Sequence, residues 1–131
     1  MKIPVKILSG AALVVGLVSA GGAAFAGTSY QSYDAILPKL QQPWNSSSQA
    51  KTYSNLAGDI SVSYVGSTYT INARLCNQSN GTCGTEVFGL DDNQSAELGA
   101  GFGAGTLLHL QLHSHEYAFV QIESVGSWRS Y

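Results

Sequence analysis

From Gly58 onward, apolar and polar residues alternate with a period of two, the mark of strands that bury one face. With Gly66-Ser67 as a two-residue turn, Tyr64 lies opposite Tyr69, Val62 opposite Ile71, Ile60 opposite Ala73 and Gly58 opposite Leu75. The reverse face then pairs Val65 with Thr68, Ser63 with Thr70, Ser61 with Asn72 and Asp59 with Arg74. A slip of one residue would mix the two faces, so this register sorts best. The same argument builds a second hairpin. A loop of Ser114-His115-Glu116 sets Leu112, Leu110 and Leu108 against Ala118, Val120 and Ile122. His109, Gln111 and His113 then share the other face with Gln121, Phe119 and Tyr117.

The remaining segments are read more coarsely. Strands are predicted over 30–37, ended at Pro38, and over 85–90 and 95–98, with Asp91-Asp92-Asn93 as a turn between the last two. Residues 41–55 hold Pro43 and a serine run and read as a long surface loop with room for one helical turn; residues 99–105 read as a glycine-rich connection. Six or seven short strands at this spacing predict an all-β fold, a small antiparallel β-sandwich.

Ahead of these strands the pattern changes. Lys2 and Lys6 precede an apolar run from Ile7 to about Ala20, and Ala24-Phe25-Ala26 follows with small residues where a signal peptidase grips. Residues 1–26 therefore read as a secretory signal peptide cut after Ala26, with Val18-Ser19-Ala20 a weaker cut site. Residues 27–131 read as one domain of about a hundred residues. The apolar run is short for a bilayer span, no Cys follows it for lipidation, and the C-terminus carries no apolar tail. The expected product is secreted, extracellular and without a stable membrane anchor.

Loss of the two lysines leaves four basic against eight acidic residues, a net charge of −4 with neutral histidines. That balance argues against nucleic acid and against anionic membrane as partners, because both need clustered Lys and Arg. Few charges amid many Ser, Thr, Asn, Gln, Gly and Tyr is a composition of bacterial extracellular β-proteins. In an exported chain, Cys76 and Cys83 around an Asn80-Gly81 turn predict a disulfide, contributing about 2.5 kcal/mol through loop closure.

Candidate chemistry is sparse. His109, His113 and His115, with Glu116 adjacent, form H-x-x-x-H-x-H. On one strand, His109 and His113 stand ~13 Å apart, too far for one ion. His113, His115 and Glu116 are the candidate metal set, although ligand number and geometry favour plain hairpin-tip residues. The glycine run contains a G-x-G-x-x-A without the strand, helix and acid that a nucleotide site needs. There is no G-x-S-x-G elbow and no calcium-loop pattern, and Asp91-Asp92 sits in a turn, so neither an enzyme nor a cofactor is implied. Asn45, Asn77, Asn80 and Asn93 head N-x-S/T triplets, which mark surface loops in a glycosylating host.

Aromatic residues carry the remaining expectation. Trp44, Trp128, Tyr117 and Phe119, with His109 and His113, form the candidate binding set, since exposed rings amid amides and hydroxyls stack on sugars or anchor interfaces. The reading reached is a secreted, non-catalytic binding protein whose partner is a protein or a cell-surface component such as a glycan. Its alternatives are a secreted toxin or bacteriocin-like effector, and a metal-binding β-protein using His113 and His115.

Overall fold

The computed structural model describes residues 25–99 and 101–131. Nine strands form among them: β1 (Phe25–Ala26), β2 (Gln31–Leu37), β3 (Trp44–Ala50), β4 (Gly58–Val65), β5 (Ile71–Asn77), β6 (Val87–Leu90), β7 (Gln94–Leu98), β8 (Leu107–Ser114) and β9 (Ile122–Arg129). They make a β-sandwich. One sheet runs β1-β3-β8-β5-β6 and the other β2-β9-β4-β7, antiparallel throughout except for the short β1–β3 pair. The predicted signal peptide lies outside the described residues apart from Phe25 and Ala26, whose backbone pairs with Gln49 and Ala50.

The strand order follows from one long hairpin. Starting at the β5–β6 turn, β5 pairs with β6, β4 with β7, β3 with β8 and β2 with β9. Rolling that nested hairpin adds the β4–β9 and β5–β8 pairs and closes two sheets over one core, the jelly-roll wind. Both predicted hairpins are therefore corrected. β4 and β5 belong to different sheets, as do β8 and β9, so residues 66–70 and 115–121 arch over the core instead of closing ladders. The buried faces were read correctly: Ile60, Val62, Ile71, Ala73, Leu75, Leu108, Leu110 and Leu112 are all buried. Tyr64 is an exception. A bulge between Val62 and Tyr64 turns its ring outward and brings Val65 into the core instead.

β3 corrects the predicted loop over 41–55. Its residues are polar, yet it fits between β1 and β8 because its buried groups find partners. The Gln49 amide accepts from Ser130 N at 2.8 Å and donates to Trp128 O at 3.2 Å. Just past the strand, buried Lys51 donates to the carbonyls of Leu56 and Ser130. Burial lowers the pKa of its ammonium group. On the facing sheet, Gly126 permits close approach of β4 and β9: a Cβ there would lie 2.2 Å from Ser61 O and 2.9 Å from the Tyr33 ring.

The innermost turn of the rolled hairpin carries the Cys76–Cys83 disulfide across a sequence separation of 7. Gly84 N and Asn77 N continue the pairing on either side, donating to Leu75 O and Thr82 O. Replacing both cysteines with serine should lower unfolding free energy by about 2 kcal/mol, because so small a loop restricts the unfolded chain only modestly. Urea denaturation of the variant checks this; an unchanged midpoint would mean that the ladder alone closes the turn.

Candidate functional site

β8 stands in the middle of its sheet, and its Leu108, Leu110 and Leu112 point into the core. Alternation therefore puts His109, Gln111 and His113 on the outer face. They are half-buried under neighbouring polar groups rather than opposed by Tyr117 and Phe119. His109 Nδ1 lies 2.7 Å from Gln78 Oε1, and burial holds the ring's pKa below its ordinary value. Gln111 bridges Arg74 at 2.8 Å and Asn45 at 3.1 Å. His113 pairs through Nε2 with Glu86, which reaches it from the segment before β6.

The candidate metal set does not converge. The strand ends at Ser114, so His115 leaves the row and sets Nδ1 3.0 Å from Asn72 Oδ1. The same oxygen accepts Gly89 N at 3.0 Å. An amide oxygen only accepts, so His115 carries its proton on Nδ1. Glu116 accepts from Thr70 N at 3.0 Å and Thr70 Oγ1 at 2.9 Å. Desolvation opposes its ionisation, but those two hydrogen bonds, its own backbone amide and the nearby His115 together lower its pKa. His113, His115 and Glu116 thus serve three different partners, and no group of three metal-ligating side chains converges among the described residues.

The two tryptophans are also corrected. Trp128 has no exposed surface and is core. Trp44 belongs to β3, half-buried against that core, with its ring 6.0 Å from Tyr33. Burial removes Trp128 from any surface contact, while Trp44 stands on a strand rather than in the predicted loop.

Tyr117 and Phe119 do lie at the surface, 60% and 74% exposed, in the arch between β8 and β9. Their rings are 5.6 Å apart and nearly perpendicular. Val120 beside them is also exposed. The arch beneath is fixed by its neighbours. Leu40 N donates to Ala118 O at 2.7 Å, Gln41 Nε2 to His115 O at 2.8 Å and His115 N to Thr70 O at 2.9 Å. Ala118 is buried between the two exposed rings and holds the segment down. A groove of about 330 Å³ adjoins this platform, lined by Tyr64, Tyr69, Val120 and Glu123.

Sequence reasoning found Tyr117 and Phe119 but missed Tyr64, Tyr69, Val120 and Glu123. Strict alternation places Tyr64, Tyr69 and Val120 on core-facing rows. The Tyr64 assignment fails at the bulge and that of Val120 at the arch, where strict alternation stops, whereas Tyr69 does pack against the core from a half-buried position and borders the groove as well. The Asp92 turn gave no sign of its role either: its carboxylate accepts Val65 N at 2.7 Å and braces the neighbouring arch. Comparison of the chain with protein-family models, curated proteins and solved structures finds no match.

Proposed function

We propose that the chain is a secreted, non-catalytic binding protein and that its β8–β9 arch engages a protein partner. One observation carries the reading. Tyr117 and Phe119 stand exposed on a segment already held by backbone hydrogen bonds from two other arches. Large rings on a pre-ordered platform supply contact area with little further ordering cost, which is how interface anchors work. The neighbouring Val120 makes the patch more apolar than a sugar-stacking ring usually requires. Export is supported by the basic, apolar and small-residue order of the first 26 positions, and a disulfide suits an oxidising compartment.

The test compares capture from a cell-surface fraction by the wild-type protein and a Tyr117→Ala/Phe119→Ala variant. Loss of two anchor rings should weaken a protein complex ~30-fold or more, while stability changes by ~0.5 kcal/mol or less. A partner held equally by both proteins removes the platform from the interface. Binding that survives protease treatment of the fraction but not glycosidase treatment assigns the rings to a glycan instead.

A further inference from the structure

We propose that the groove beside the platform receives a cationic side chain, lysine or arginine, from the protein partner; this rests on the reading that the arch binds a protein. The groove, about 330 Å³, is at the small end for a ligand site and suits one extended side chain better than a whole small molecule. Tyr64 and Tyr69 supply ring surface, and Tyr64 is 43% exposed. Ring faces attract cations.

The charge at the groove selects the same occupant. Glu123 lines it, and Glu123 pairs in register with Ile36, two residues from Asp34 on the same outer face. The two carboxyls are diagonal neighbours across β2 and β9. Among the described residues, the salt bridges are Arg129 with Asp59 and His113 with Glu86, so neither Asp34 nor Glu123 has a basic partner. The hydrogen bond its carboxyl can donate to Asp34, the Asp34 charge and some desolvation raise the pKa of Glu123, as expected of a carboxyl beside a like charge. A guanidinium or ammonium set between the tyrosines would relieve that repulsion and contact the rings at once.

The geometry also limits how the groove opens. Gly66 forms part of its wall, with N–H donating to Glu123 O at 2.8 Å, so β9 and the β4–β5 arch are tied together. A Cβ at Gly66 would lie 3.7 Å from Tyr64 Oη, so the tyrosine hydroxyl closes over the same spot.

The experiment titrates the full mature protein with an arginine-containing hexapeptide and with the same peptide carrying neutral citrulline, followed by amide NMR shifts. The arginine peptide should shift Gly66, Ser67 and Gln121, and citrulline should not. Glu123→Gln should weaken arginine binding about fivefold or more, whereas Glu97→Gln, which removes an equal charge from β7, should leave it unchanged. Equal binding of both peptides, absent shifts at the groove, or equal effects of the two glutamine variants would each overturn the proposal. Its failure is separable from that of the platform: an aromatic double variant that loses the partner while Glu123→Gln keeps it leaves the platform standing and removes the groove.

Discussion

Replacing Val62 with aspartate is expected to leave the domain without a cooperative folded state. Val62 is 1% exposed, on the central strand β4, paired with Gly126 on one side and Gln94 on the other. A carboxylate there would face the aliphatic layer of the opposite sheet with no base to meet it, since among the described residues the buried lysine is Lys51, already held by two carbonyls just past the end of β3. Burying an unpaired charge costs several kcal/mol even after relaxation, against a total stability of roughly 5–15 kcal/mol for a domain of this size. Amide NMR dispersion and near-ultraviolet circular dichroism read the outcome. Ser63→Asp, one residue along and exposed, should keep the native spectrum. A dispersed spectrum for Val62→Asp would mean that β4 presents its other face to the core.

That pair of variants tests the part of the fold that was legible from residue pattern. Alternation says which face of a strand is buried, and for Ile60, Val62, Ile71, Ala73 and Leu75 it said so correctly. It does not say which strand lies alongside. Two strands joined by a short polar segment show the same apolar rows whether they pair in one sheet or arch between two, because in both cases the rows meet the same core. The inward face therefore survived the change of partner, while the predicted ladder Ile60–Ala73 did not: Ile60 pairs with Ala96 and Trp128.

β3 was invisible for a different reason. It buries Gln49 and carries Asn45 and three serines between Trp44 and Ala50, so its stability comes largely from hydrogen bonds formed only after β8 and the C-terminal segment are in place. No local hydrophobic signal announces such a strand. The candidate site divides along the same line. Tyr117 and Phe119 could be singled out as aromatic residues in a polar context, but their platform depends on Leu40, Gln41 and Thr70, which are distant in sequence. The histidine motif looked like chemistry because the residues are close in sequence. The end of β8 at Ser114 sends His115 to Asn72 and leaves His113 with Glu86.

Trp128→Ala should then cost about 3–5 kcal/mol, the range for emptying a large aromatic site in a core that closes only partly. Trp128 lies on β9 at the centre of its sheet, between Gln31 of β2 and Ile60 of β4, and its ring has no exposure. Its carbonyl accepts the Gln49 amide from the other sheet, so relaxation around the cavity is resisted by a hydrogen bond across the core. The loss should appear as a lower urea midpoint with a similar denaturant slope, because the surface exposed on unfolding hardly changes. The same variant separates two roles for this tryptophan. A surface contact would leave the midpoint within the narrow range of ordinary exposed substitutions while weakening partner binding. A core residue moves the midpoint first, and any binding loss should scale with the fraction unfolded. An unchanged midpoint would place the indole outside the sandwich and reverse the facing of β9, on which the positions of Glu123 and the groove also depend.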